Sequence, residues 1–157
     1  MTVDRFVIDA NVALYAFSPN HALEPALLPS AEAARRFLVR TMQENAALFV
    51  PWLFFSEIIN TVTKNVASGN LTALEGETML EDMMQIPWTP LLPKWREVFE
   101  ITQSLKRSRS GDSEFIAVAL DTGAILVTED KALLSTVQTL ALPYSVSSVT
   151  AHVWGQV

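Results

Sequence analysis

The sequence contains no cysteine, and this absence excludes several kinds of site. Without cysteine the chain has no disulfide, no thiolate metal site and no cysteine nucleophile, and it suits a reducing compartment such as the cytoplasm. The first residues carry no basic leader, and no apolar run approaches the ~18 residues that a membrane-spanning helix needs. We therefore expect a cytoplasmic protein that does not enter a membrane.

Positive charge is also scarce, with 11 Lys and Arg against 17 Asp and Glu and a formal net charge of -6. This balance argues against a broad cationic surface that binds nucleic acid by phosphate neutralisation alone. The basic residues are concentrated between positions 94 and 109. Lys106, Arg107 and Arg109 are therefore our candidates for contacts with a phosphate-containing substrate; the alternative is an ordinary solvated loop.

The chain has the length of one domain, and it shows no internal repeat, low-complexity tract or linker. We expect residues 1–157 to form a single domain. Short apolar runs rich in β-branched residues alternate with amphipathic segments, which predicts strands separated by helices. The predicted strands are 5–8, 47–50, 87–92, 124–127 and 144–146, and the predicted helices are 11–17, 30–44, 51–67, 72–85, 93–105, 112–122 and 130–136.

Strands joined by helical crossovers form a parallel sheet that is covered on both faces. The predicted fold class is therefore α/β, a three-layer α/β/α domain with a roughly five-stranded parallel sheet. Local signals support several of the helix ends: Pro51 is expected in the first turn of a helix, Thr72 with Glu75 forms a capping-box pattern, and Gly123 is a helix stop. Residues 18–29 are predicted as a loop, and residues from 147 onward as a tail.

Four acids stand next to the predicted strands. Asp9 ends the first strand, Asp130 follows the fourth, Asp112 begins the helix before the fourth, and Glu57 lies on the helix after the second. The carboxyl ends of parallel strands share one edge of the sheet, where ligands of such folds collect. If the first and fourth strands are neighbours, these carboxylates converge.

Each acid also has a purely structural interpretation. The three aspartates stand where N-caps and first-turn acids stabilise helices, although Ser110 and Thr128 could cap two of those helices instead. Glu57 is in mid-helix, where capping cannot explain it, and the alternative for this residue is a solvated helix face. The residues alone leave these alternatives open.

Several carboxylates at one edge would repel one another unless a cation neutralises them. Oxygen ligands alone favour Mg²⁺ or Mn²⁺ over zinc, and such an ion lowers the pKa of bound water and binds phosphate oxygens. The predicted chemistry is phosphodiester hydrolysis by metal-activated water. With the 3′ oxygen as the leaving group, it should leave a 5′-phosphate and a 3′-hydroxyl.

Three stretches resemble the motifs of PIN-domain nucleases, especially the VapC-like ribonuclease toxins of toxin–antitoxin pairs. FVIDANV is similar to the first acidic motif, FVPWLFFSEIIN to the second, and GDSEFIAVALDTGAILVTEDKAL to the third and fourth together. The resemblance implies that four acids bind Mg²⁺ or Mn²⁺ and perform catalysis, with Asn11 and Thr128 positioning them; the acids are Asp9, Glu57, Asp112 and Asp130. It further implies an RNA substrate, an antitoxin protein as partner and a homodimer.

The chain departs from the family pattern at Gly111, Ser113 and Glu129, which could alter substrate access. Two other functions remain as alternatives. One is a PIN-like module that binds RNA or protein with little or no catalysis, and the presence of all four acids disfavours it. The other is a phosphatase of the haloacid-dehalogenase kind, which needs a second aspartate where this chain has Asn11.

Overall fold

The fold is a parallel β-sheet between helical layers. The structure, a computed structural model, describes residues 3–106, 110–139 and 146–152. The five strands are β1 (Arg5–Ile8), β2 (Ala47–Pro51), β3 (Trp88–Leu91), β4 (Ile125–Val127) and β5 (Ser148–Val149). The helices are α1 (Ala10–Phe17), α2 (Leu28–Gln43), α3 (Leu53–Ala67), α4 (Ala73–Met84), α5 (Trp95–Ser104), α6 (Gly111–Thr122) and α7 (Lys131–Thr139). This confirms the predicted α/β class with three α/β/α layers.

All described strand pairs are parallel, in the order β3-β2-β1-β4-β5. Strands β2 and β3 lie on one side of β1, and the chain then crosses to the other side of β1 to form β4 and β5. The direction in which strands are added therefore reverses between β1 and β4. Helix α6 packs on β1, β2 and β4, and α5 packs on α6, while α1 packs against α2. The rings of Phe6 in β1 and Phe37 in α2 meet edge to face at 5.3 Å. Both phenylalanines are fully buried, so the core lies between the sheet and its helices.

Two sequence signals determine helix ends as predicted. The Thr72 hydroxyl accepts a hydrogen bond from the Glu75 backbone, and the Glu75 carboxylate accepts one from the Thr72 backbone, which completes the capping box of α4. Gly123 ends α6 in the left-handed conformation with φ of 64°, which glycine adopts at little cost. The chain can therefore turn directly from α6 into β4.

The prediction for Pro51 is wrong. It ends β2 instead of opening a helix, and its partner in the ladder is Leu91 of β3. The pairing of β2 with β1 stops at Phe49, so the missing N–H of Pro51 interrupts no hydrogen bond to β1. The helix begins two residues later, at Leu53.

Two further boundaries also need correction. The segment 18–29 contains two short 3₁₀ helices, Asn20–Ala22 and Pro25–Leu27, where we expected only a loop. The last described strand is β5 at Ser148–Val149, inside the predicted tail; of the predicted strand 144–146, residues 144 and 145 lie outside the described residues. β5 has only two residues, Ser148 and Val149, which pair with Leu126 and Val127 of β4, so this strand exists through its pairing and not through a run of strand-forming residues.

The packing of α4 on α3 depends on Gly76. A Cβ at this position would lie 2.7 Å from Val66 Cγ2 and 3.2 Å from Val62 Cγ1. Alanine favours helices by about 1 kcal/mol over glycine, but the crowding must push the helices apart. We expect Gly76→Ala to lower the free energy of unfolding by about 1–2 kcal/mol in urea titrations. The matched control is Thr78→Ala on the exposed face of the same helix, with an expected change below ~0.5 kcal/mol. A Gly76→Ala protein as stable as its parent would contradict this close packing.

Candidate active site

The candidate site lies where the order of the strands reverses. Asp9 follows β1, and Thr128 to Asp130 follow β4, at the carboxyl ends of two neighbouring strands. The last pair in the ladder is Ile8 with Val127, and the Asp9 amide donates to the Val127 carbonyl at 3.0 Å. The sheet therefore brings together two segments that are about 120 residues apart in sequence.

Thr128 connects the two aspartates. Its buried hydroxyl donates to Asp9 Oδ2 at 2.7 Å and accepts from the Asp130 backbone amide at 3.0 Å. Asp9 stands at the N-cap position of α1, yet its side chain makes no capping hydrogen bond. Its carboxylate is therefore oriented by Thr128 and does not act as a helix cap.

Asn11 holds the same loop from the other side. Its Oδ1 accepts from the Glu129 backbone amide at 3.2 Å. The Glu129 carboxylate in turn accepts from the Ala151 backbone amide at 3.0 Å, so this departure from the family pattern joins the loop to the segment after β5. Side-chain hydrogen bonds thus fix the loop to α1 and to the segment after β5.

Asp130 does cap a helix. Its Oδ1 accepts from the backbone amides of Ala132 and Leu133 at 2.9 and 3.0 Å, so the capping interpretation holds for this acid. Its charge nevertheless lies close enough to Asp9 to raise the pKa of that group. The two roles are compatible because a carboxylate has two oxygens.

Burial and mutual repulsion act on Asp9. The pKa of Asp9 is raised from 3.8 to about 6, mainly by burial and to a smaller extent by the charges of Asp112 and Asp130. The hydrogen bonds from the Thr128 hydroxyl and the Ala10 backbone act in the opposite direction. The pKa of Asp9 thus reports that all three aspartates share one electrostatic environment.

Glu57 belongs to the same group of charges. Its pKa rises from 4.5 to about 7, first through burial and then through the charges of Asp9, Asp112 and Glu114. A Cβ at Gly111 would lie 3.7 Å from Glu57 Oε1, which shows that the start of α6 comes close to α3. Glu57 is half-buried, so the solvated-face interpretation does not describe it.

Despite this convergence, the acids do not form a closed coordination group. Within residues 3–106, 110–139 and 146–152, no three His, Asp or Glu side chains are close enough together to hold a metal ion. The structure therefore shows proximity and mutual repulsion of the carboxylates, and their role as ligands stays a prediction.

The family-model comparison identifies the fold family. Residues 6–138 match the PIN domain model, which is most of the chain. The chain belongs to the PIN domain family. Among curated protein sequences, none matches the chain.

Three solved structures have the same fold as this PIN domain. PAE2754 from Pyrobaculum aerophilum is 18% identical with a TM-score of 0.67, and the match covers 99% of this chain and 96% of that one. VapBC2 from Rickettsia felis, bound to a DNA fragment from their promoter, is 12% identical with a TM-score of 0.64 over 93% and 98% of the two chains. VapBC-1 from nontypeable Haemophilus influenzae is 13% identical with a TM-score of 0.59 over 94% and 98%. No helix in the described part of the PIN domain is long and apolar enough to cross a membrane.

Sequence reasoning missed two residues of the site in this PIN domain. Glu114, in the first turn of α6, raises the pKa of Glu57, and Tyr15 on α1 has its own pKa raised by burial and then by Glu129 and Asp130. Helical spacing could have indicated Tyr15, which lies one turn after Asn11 on the same face of α1. It could not have indicated Glu114, because residues two apart in a helix, such as Asp112 and Glu114, point to different sides.

The sequence also singled out the basic segment and Ser113. Lys106 is exposed after the end of α5, whereas Arg107 and Arg109 lie outside the described residues, so the substrate contact of this basic segment stays a prediction. Ser113 is buried, and its hydroxyl lies 2.8 Å from that of Thr102 on α5. This departure from the family pattern therefore joins α6 to α5 through a side-chain hydrogen bond.

Proposed function

We propose that this PIN domain is a metal-dependent endoribonuclease, with Asp9, Glu57, Asp112 and Asp130 as its catalytic and metal-binding residues. The observation that carries the proposal is the convergence of these carboxylates near the β1 and β4 ends, where burial and then their mutual repulsion raise the pKa values of Asp9 and Glu57. A cluster of like charges at a ligand-binding edge is costly unless a cation neutralises it.

The donor set fits a hard divalent cation. All four acids supply oxygen ligands, which suit Mg²⁺ or Mn²⁺. When bound, such an ion lowers the pKa of water and neutralises phosphate oxygens. We propose that Asp9, Asp112 and Asp130 hold the ion directly or through water, as the family resemblance implies.

The other residues of the site orient these acids and the nucleophile. Thr128 donates to Asp9 and Asn11 accepts from the loop after β4, so both limit the positions that the aspartates can take. Glu57 is proposed to orient the attacking water or a second cation. Water attacks phosphorus and the bond to the 3′ oxygen breaks, so that this oxygen takes up a proton and the products are a 5′-phosphate and a 3′-hydroxyl.

The experiment that tests this function is cleavage of single-stranded RNA by the parent and by Asp9→Asn, with Mg²⁺, with Mn²⁺ and with EDTA. Cleavage that needs the cation and Asp9 would support the proposal. If RNA binds equally well with and without the cation and is not cleaved with any cation, the result would instead support a binding module.

We further propose that the protein is the toxin of a toxin–antitoxin pair acting in the cytoplasm. The support is the PIN family itself and the likeness to two structures described as VapBC complexes, in addition to the motif resemblance. The implied partner is a small antitoxin protein. Co-expression with the product of an adjacent reading frame should suppress the growth arrest that the nuclease alone would cause.

An exposed apolar patch on α5 supports a homodimer. Leu92, Trp95 and Phe99 are 80%, 73% and 56% exposed, and Trp95 and Phe99 lie one helical turn apart. Large apolar side chains that are exposed on and just before one helix favour a protein–protein contact there. We expect the parent to have twice the 17.4 kDa mass of one chain in light scattering, and Trp95→Ser combined with Phe99→Ser to be monomeric. The control is Leu74→Ser, which changes a 72% exposed leucine on α4 and should leave the dimer intact. A monomeric parent would contradict the homodimer.

A further inference from the structure

A cavity of about 440 Å³ lies between α1, α3, α4 and the segment 18–29 that holds the 3₁₀ helices. Its volume falls within the ~300–1,000 Å³ typical of small-molecule sites. Asn11, whose Oδ1 holds the loop after β4, also lines the cavity. The cavity and the proposed catalytic site therefore share a wall.

Polar side chains on α1 and α3 extend in rows from the acidic site to the lining of this cavity. On α3, Glu57 lies at the acidic site, and Thr61 and Asn65 follow at intervals of four residues and line the cavity. On α1, Asn11 is followed four residues later by Tyr15. The path from Glu57 to Asn65 is about 12 Å at the rise of an α-helix, so it is long enough to contact a substrate beyond the reacting phosphate.

The chemistry of the lining favours an uncharged, planar, hydrogen-bonding occupant. Three amides line the cavity, from Asn11, Asn65 and Asn70, together with the hydroxyl of Tyr15. Leucine, valine and methionine side chains supply its apolar walls. Glu24 is the one charged residue in the lining, and none of the lining residues is Lys, Arg or His, so an anion is disfavoured. A phosphate would lack a cationic partner there, whereas a nucleobase offers both an apolar face and an edge of donors and acceptors.

The amides are held in place but not saturated. Asn65 Nδ2 donates to the Thr61 carbonyl at 3.0 Å, and Asn65 Oδ1 accepts from Asn70 Nδ2 at 3.2 Å. Each amide group carries two N–H donors and an oxygen that accepts two hydrogen bonds, so both can bind a further group. Amides fixed in this way can distinguish bases, because asparagine can pair with a base edge through two hydrogen bonds.

We propose that this cavity binds one unstacked base of the RNA, next to the phosphodiester that is cut, and so contributes to sequence selection. The inference rests on the proposed ribonuclease function for the identity of the polymer. Tyr15 and Asn11 stand between the base and the acids, and Thr61, Asn65 and Asn70 contact the base edge.

Binding can be measured without cleavage. Side-chain amide NMR signals of Asn11, Asn65 and Asn70 are followed in the metal-free protein while RNA trinucleotides that contain A, C, G or U at the central position are added. We expect at least one base to shift these signals, while those of the exposed Gln85 and Gln103 stay in place. Ala22→Trp, which fills the cavity from its lining, should weaken binding by at least ~10-fold.

The matched control is Ala26→Trp, which adds the same side chain at an exposed position of the neighbouring 3₁₀ helix and should bind as the parent does. The inference is overturned if no trinucleotide shifts the signals, if Ala22→Trp binds equally well, or if only an arginine-containing peptide shifts them. The last result would assign the cavity to a protein partner.

The experiments distinguish an error in the base-binding proposal from an error in the ribonuclease proposal. If the parent cleaves RNA with Mg²⁺ and Ala22→Trp keeps the same sequence preference, the cavity does not select the base and the nuclease function stands. If the parent cleaves no RNA while trinucleotides still shift the amide signals, the cavity binds a base and the nuclease function fails.

Discussion

Asp9→Asn is expected to lower the rate of RNA cleavage by roughly 10³-fold or more, because it removes a charged ligand from the point where β1 and β4 meet. Asparagine keeps the size of the side chain and an oxygen that can accept from the Thr128 hydroxyl. The loss should therefore come from the missing charge and not from unfolding. Initial rates on a single-stranded RNA with Mg²⁺ measure the effect. A variant within ~10-fold of its parent would remove Asp9 from the proposed chemistry.

The same substitution should stabilise the metal-free protein at pH 8. The folded-state pKa of Asp9 is raised from 3.8 to about 6, so ionisation opposes folding, and stability is lost as the pH rises from about 4 to about 6. This rise corresponds to up to about 3 kcal/mol at pH 8. Asp9→Asn removes that cost, and thermal unfolding in EDTA should show a higher melting temperature than that of the parent. Asp82→Asn, at an exposed position of α4, is the control and should change neither activity nor stability.

Addition of Mn²⁺ or Mg²⁺ should raise the melting temperature of the parent at pH 8 by about 5–10 °C, and EDTA should reverse the effect and stop cleavage. A free ligand at 100 times its dissociation constant stabilises by about 2.7 kcal/mol, which corresponds to this shift for a chain of this size. The cation must compete with protons on Asp9 and Glu57, whose pKa values are about 6 and about 7. We therefore expect the stabilisation to become small at pH 5.5.

The control for the cation is Asp9→Asn, which should lose most of the stabilisation, whereas Asp82→Asn should keep all of it. Equal stabilisation of Asp9→Asn and the parent would mean that the ion binds elsewhere. Equal stabilisation at pH 5.5 and pH 8 would mean that its ligands do not include groups that titrate between those values.

Local signals predicted most of the elements in this protein. The strand at Arg5–Ile8 has the predicted bounds, and the capping box of α4 and the turn at Gly123 follow from short-range hydrogen bonding and backbone freedom. Such features depend on a few neighbouring residues, so the sequence alone predicts them. The strand position of Pro51 and the strand β5 could not be predicted in this way, because each depends on pairing with a neighbouring strand.

The same division applies to the candidate site. The strand-end positions of Asp9 and Asp130 were visible in the sequence, and so was a capping role for Asp130 as one of two alternatives. Only the structure shows that Asp130 does cap its helix, and that Thr128 bonds to both segments. Glu57 could equally have faced solvent, and only the approach of α6 to α3 makes it half-buried beside Asp112. Glu114 acts on Glu57, and Tyr15 is affected by Glu129 and Asp130, for the same reason, since the packing of distant elements decides which charges come close together.

By itself the sequence determined the order of strands and helices and the placement of acids after strands, since hydrophobic period and turn chemistry are local properties. Only the tertiary structure decided that β4 lies beside β1, which brings residues 9 and 130 to one edge. The physical reason is that strand pairing and helix packing join residues far apart in the chain, and the burial and repulsion that raise the pKa values of Asp9 and Glu57 exist only after they are joined.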